Sequence, residues 1–115
     1  MVFRNTPANR QLAKRMEAIV NRCPGFTPFI DRGWNCGEDI RFEIGTSAAL
    51  NCPFTVQTFC TDAGYFGIKA RMRQIELDAT EVIELKNWMA DLETITSALT
   101  ECIAEAKPQR SKYAI

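Results

Sequence analysis

No histidine occurs anywhere in the 115 residues. That absence removes Ser-His-Asp and Cys-His nucleophile systems, imidazole acid–base chemistry and histidine metal sites. Carboxylate pairs or lysine can still catalyse, but the expectation moves away from an enzyme. Short-spaced cysteine pairs are missing too. Cys23, Cys36, Cys52, Cys60 and Cys102 are odd in number and none has C-x-x-C spacing, so neither a zinc site nor any other cofactor is implied. No apolar run nears the roughly 18–20 residues that span a bilayer. Met1 to Pro7 lacks the apolar stretch of a secretory signal. These absences lead us to expect a cytoplasmic protein, off the membrane, with reduced and mostly buried thiols. Cys23 and Cys102 fit that best, since each lies on a predicted helix's apolar stripe. Net charge is absent as well, with 14 bases against 14 acids, so the overall balance names no partner.

What is present reads as one globular domain over 1–115, with 108–115 as a flexible tail. Thr6-Pro7 starts a helix, a capping hydroxyl followed by proline at the first helical position. Leu12, Met16, Ile19, Val20 and Cys23 then recur at helical spacing until Pro24-Gly25, which predicts a helix over 7–22. Thr27-Pro28-Phe29-Ile30 reads as extended, Asp31-Arg32-Gly33 as a turn, and Trp34 as an anchor packing this connection onto the core. From Asp39 to Gly45 the chain alternates, with Ile40, Phe42 and Ile44 to one side and Arg41 and Glu43 to the other. Strands are also predicted over 54–60 and 65–72, joined by a hairpin loop at Thr61-Asp62-Ala63-Gly64.

The last element carries the strongest signal. Asp78-Ala79-Thr80-Glu81 is a capping box, flanked by a Leu77/Val82 staple. Val82, Leu85, Met89, Leu92, Thr96, Leu99, Ile103 and Ala106 follow at alternating three- and four-residue steps, with Trp88, Ile95 and Cys102 beside them. This predicts a helix over 79–107, weakened near Thr94, Thr96 and Ser97, where a kink is tolerable. The expected fold is α+β: a two-layer domain in α-β-β-β-α order, with a three-stranded antiparallel sheet and both helices on one face.

Charge is segregated despite the zero balance. Arg4, Arg10, Lys14, Arg15 and Arg22 face only Glu17 in the first 22 residues. Between 74 and 106 eight acids are met by Lys86 alone, and Lys107, Arg110 and Lys112 follow.

Two surfaces become candidates. A helix of about 28 residues is roughly 42 Å long, whereas a seven-residue strand covers about 23 Å. Its seam is therefore either covered within the chain or offered to another chain, as heptad spacing suits. On the second reading Trp88, Met89, Leu92, Ile95 and Leu99, with Glu84 and Asp91, form a partner-binding or homo-oligomer surface. The expected function is then a non-catalytic protein-interaction module: an adaptor, a regulatory subunit, or an inhibitor of the kind phages encode against host systems. The alternative is a nucleic-acid-binding module. It would use a basic, aromatic sheet face of Arg41, Phe59, Tyr65, Lys69 and Arg71 together with the basic first helix.

The order of elements resembles that of double-stranded-RNA-binding domains, but in order alone. The start of the second helix, Leu77 to Glu81, is acidic where that family is basic, and 45–53 has no Gly-Pro-x-His element. Weaker candidates are an anion nest at Gly45-Thr46-Ser47 and the carboxylates Asp31, Glu38, Asp39 and Asp62.

Overall fold

The computed structural model describes residues 1–46, 54–60, 66–72, 76–109 and 111. The chain is the α+β fold expected, with an early helix, antiparallel strands and a long closing helix. Strand β1 (Val2–Arg4) is followed by α1 (Pro7–Asn21), β2 (Phe26–Asp31), β3 (Asp39–Thr46), β4 (Phe54–Cys60), β5 (Phe66–Met72) and α2 (Ala79–Ala106).

The three-stranded antiparallel sheet has the order β1-β3-β2, while β4 and β5 pair with each other. Sequence patterning had grouped β3 with β4 and β5. The short β1 carried no periodic signal, yet it takes one edge of β3 (Phe3 opposite Ile40) and β2 takes the other (Pro28 opposite Ile44). β1 covers one edge of β3 only along Asp39–Arg41 and β2 takes the other along Arg41–Thr46, while β4 and β5 pair outside this ladder. On β2, Pro28 lacks an N–H, which discourages a further strand from adding to that edge.

Alternation along β3 aims Ile40, Phe42 and Ile44 into the core, where Phe3 and Phe26 join them. From α1 come Leu12, Met16 and Val20, and from α2 come Trp88, Ile95, Leu99 and Cys102. Phe26 stacks on Trp88 with ring centroids 5.5 Å apart. This contact ties the sheet to the middle of the long helix.

Both helices begin as their sequences dictate. Thr6 Oγ1 accepts from the Asn9 amide at 3.1 Å, with Pro7 in the first turn. Asp78 Oδ1 accepts from the Glu81 amide at 2.8 Å, and the Asp78 amide donates to Glu81 Oε1. Helix α2 runs unbroken for 28 residues. Thr94, Thr96 and Thr100 each donate a hydroxyl to the carbonyl four residues back, which occupies these groups within the helix instead of breaking it. It ends at Lys107 in a left-handed conformation (φ 47°) before Pro108.

Among the described residues three polar ones are almost wholly buried: Asn9 at 2%, Asp39 at 4% and Ser111 at 6% exposure. Asn9 Nδ2 donates to the Arg4 carbonyl at 2.9 Å and to the Gln109 carbonyl at 2.8 Å. The Arg4 amide also donates to Gln109. Ser111 Oγ donates to Asp39 Oδ2 at 2.9 Å. The chain beyond α2 is thus tied down at Gln109 and Ser111, where a loose end was expected from 108 onward. Arg110 and 112–115 lie outside the described residues.

Replacing Asn9 by alanine removes two hydrogen bonds, although the Arg4 and Gln109 carbonyls keep the Thr6 and Arg4 amides as donors, and should cost about 2 kcal/mol. Urea unfolding should show a lower midpoint with an unchanged slope.

Candidate functional site

The sequence placed one candidate surface on α2, and the structure divides it. Trp88, Ile95 and Leu99 face the core and are spent on this chain's own packing. Asp91 and Leu92 are half-buried, while Glu84 and Met89 are exposed. The N-terminal half of the heptad seam therefore lies on the rim of the core, whereas Leu99 in its C-terminal half lies within it. That N-terminal half stays open: Val82 is 51% and Met89 57% exposed, with Leu85 and Leu92 half-buried between them. Ile83, at 61%, adds apolar surface round the helix. The Leu77/Val82 staple is correspondingly open on its Val82 side. The buried line is the flanking one, Trp88, Ile95 and Cys102, seven residues apart. Bulk decided this, because Trp88 has Phe26 to stack on.

The charge around this strip is acidic. Glu76, Asp78, Glu84 and Glu93 are exposed and Glu81 half-buried on or beside the same half of α2, with Lys86 the one base among them. The C-terminal half is partly answered within the chain, where Arg15 of α1 meets Glu105 at 3.2 Å.

The second candidate surface is also divided. Arg41 lies on the open face of the β1-β3-β2 sheet, whereas Lys69 and Arg71 are exposed on the separate β4–β5 ladder. In that ladder Thr55 opposes Arg71, Gln57 opposes Lys69 and Phe59 opposes Gly67, so Phe59, Lys69 and Arg71 share a face by register. Tyr65 lies outside the described residues, as do the 61–64 hairpin loop, Asp62, Cys52 and Ser47. Gly45 and Thr46 belong to β3, not to an anion-binding loop.

Trp34 does not anchor the core. Asn35 (φ 53°), Cys36 (φ 57°) and Gly37 (φ 85°) form a left-handed run that turns the chain back. Trp34 sits over Arg41, with the guanidinium 4.7 Å from the ring centroid. An open pocket lined by Val2, Trp34, Asn35 and Asp39 lies beside it, and Phe29 is exposed on the same sheet face, opposite Glu43. The sequence signal for this face was the Asn-Cys-Gly run between two strands, which asks for left-handed backbone.

The carboxylates serve structure. Asp31 Oδ1 accepts from the Gly33 amide at 2.9 Å. Asp39 Oδ2 accepts from Asn35 Nδ2 as well as from Ser111. Among the described residues no group of three His, Cys, Asp or Glu is placed to hold a metal, and no helix is long and apolar enough to cross a membrane.

Cys23 and Cys102 are buried free thiols and Cys36 is an exposed one. Burial raises the Cys23 pKa above 9.0, and the charge of Asp91 adds to it. Burial raises that of Cys102 too, with Arg15 opposing and Glu105 reinforcing. An unfolded chain therefore loses these protons at lower pH than the folded one. The stability they confer is intact below about pH 9 and is lost as pH climbs through their folded values. Thermal melts should fall on the alkaline side, and the pair Cys23→Ala with Cys102→Ala should flatten that fall.

Compared with known proteins, the chain matches no family model, no curated protein and no solved structure.

Proposed function

We propose that this protein is a non-catalytic protein-interaction module whose docking element is the N-terminal half of α2. The observation that supports it is the strip Val82, Leu85, Met89 and Leu92, apolar and at helical spacing, in which Val82 and Met89 are exposed and Leu85 and Leu92 are only half-covered by the core. An amphipathic helix that lays such a strip in a groove, or receives another helix along it, is a recurring recognition mode. The acidic surroundings select the partner's chemistry. A basic, apolar-faced segment gains complementary charge, whereas a second copy set strip to strip brings carboxylates against carboxylates. A basic partner therefore fits better than the homodimer. Adaptor, regulatory subunit and inhibitor all remain within this reading.

The experiment places a photo-crosslinking residue at Ile83 in cells and compares the parent with Met89→Glu and Val82→Glu. These exposed substitutions should leave thermal stability within about 0.5 kcal/mol and remove a discrete crosslinked adduct. An adduct of twice the chain mass would mean self-association in place of a basic partner. If Met89→Glu unfolds the domain, or the adducts match those from a probe at exposed Gln11, the reading fails. Leu99 is unsuitable for this purpose, because a charge there destroys the core.

A second reading is favoured by one observation: Lys69 and Arg71 are exposed on the β4–β5 ladder, where Gly67, next in line on their side of β5, is the register partner of position 59. On this reading the face grips single-stranded nucleic acid by stacking and phosphate pairing. Fluorescence anisotropy with a labelled oligonucleotide should then show affinity falling steeply with salt. The double change Lys69→Glu with Arg71→Glu should abolish binding in a domain that still folds. Unchanged affinity in that variant ends the reading.

A further inference from the structure

At the start of β3 a carboxylate has been taken out of water without a countercharge. Asp39 is 4% exposed. Its Oδ2 accepts from Ser111 Oγ at 2.9 Å and from Asn35 Nδ2 at 3.1 Å, and both donors are neutral. Among the described residues no cation pairs with Asp39, and its Oδ1 receives no hydrogen bond. Arg41 and the Met1 ammonium both go to Glu43 instead, at 3.3 and 3.0 Å. Arg4, opposite Asp39 in the β1–β3 register, is exposed and forms no ion pair among the described residues. A buried carboxylate met only by neutral donors keeps much of its desolvation cost, so it attracts any cation that can reach it.

There is a way in. Asp39 lines an open pocket of about 350 Å³ together with Val2, Trp34 and Asn35, a volume that suits a small ligand. The lining fits an ammonium on an aliphatic stem. An ammonium is all donor and no acceptor. The groups that face it are acceptors: the Asp39 carboxylate and Asn35 Oδ1, which receives no hydrogen bond among the described residues. Val2 and Trp34 supply apolar wall for the stem. The Trp34 ring already receives one cation, the Arg41 guanidinium 4.7 Å from its centroid, as the electron-rich face of an indole favours. These walls are held in place beforehand. The Asp39 amide donates to the Trp34 carbonyl at 3.1 Å, and Asn5 Nδ2 donates to the Gly37 carbonyl at 2.9 Å across the left-handed run. A preformed site loses little freedom on binding.

We propose that this pocket binds a primary alkylammonium group, with the nitrogen on the Asp39 carboxylate and the stem between Val2 and Trp34. A lysine side chain of a partner and a free aliphatic amine both carry that group. The pocket is separate from the docking strip on α2 and does not depend on it.

Titration of the full chain with n-butylammonium chloride, followed by NMR, tests this, with n-butanol as the uncharged counterpart. The Trp34 indole N–H, the Asn35 side-chain amide and the Asp39 backbone amide should shift and saturate in the millimolar range. The Trp88 indole, stacked on Phe26 in the core, should stay still. Butanol should bind about tenfold more weakly, the loss of a hydrogen bond between charged groups. Asp39→Asn, which keeps the shape and removes the charge, should weaken butylammonium to the same degree. Equal shifts with butanol overturn the proposal, as do shifts no larger around Asp39 than along Glu81 and Glu84, which mark loose counter-ions. Unchanged affinity in Asp39→Asn overturns it too. If that variant does not fold, Trp34→Ala at an exposed position decides: affinity read on the Asp39 amide should fall about threefold, and no fall overturns the site. Nα-acetyl-lysine methylamide distinguishes the sources. Tighter binding than butylammonium supports a partner's lysine, and equal binding supports a free amine.

Discussion

Asn9 stands where a helix facing a core would ordinarily carry an apolar side chain, one turn before Leu12 and Ala13. Its amide group is out of water and both its donors are committed, one to Arg4 in the first strand and one to Gln109 beyond the last helix. A buried amide without partners costs several times what a typical hydrogen bond returns. The fold is therefore obliged to bring three distant segments to one point. With β1 fixed there, β3 acquires an edge partner, the sheet closes over α1, and the segment after α2 has a place to lie. The apolar core supplies most of the stabilisation, but it is indifferent to where the ends go. This one amide is not.

The same constraint explains how the surface is divided. Helix α2 must deliver Gln109 to β1, so its C-terminal half lies against α1, with Ile95, Leu99 and Cys102 buried. Its N-terminal half reaches past that contact: Leu85, Trp88 and Leu92 still pack on the core there, while Val82, Ile83 and Met89 stay exposed. The helix is about as long as the molecule, whose greatest extent is 46 Å. One end belongs to the core and the other offers surface, along a single periodic pattern.

Much of this was legible in the residues. The capping signals fixed the start of both helices, and the alternation from Ile40 to Ile44 marked the central strand. The heptad seam marked the apolar side of α2 but left open which of its positions the core covers, because periodicity does not weigh Trp88 against Met89. Strand β1 was not legible, since three residues cannot display a period and its partner lies nearly forty residues away. The buried roles of Asn9, Asp39 and Ser111 were equally hidden, because polar residues announce turns and caps as readily as cores. Trp34 was read as a core anchor on hydrophobicity alone, whereas the left-handed run behind it, visible as Asn-Cys-Gly, turns it toward Arg41.

The pairing of Asn9 with Gln109 spans 100 residues, and that span has a kinetic meaning. Chains are made from the amino end, and contacts between distant segments are slow to close. During synthesis α1 and the first three strands leave the ribosome while the carbonyl that satisfies Asn9 does not yet exist. The first half of the domain must wait, hydrated and incomplete, until residue 109 emerges, which is the first moment at which the native topology can lock.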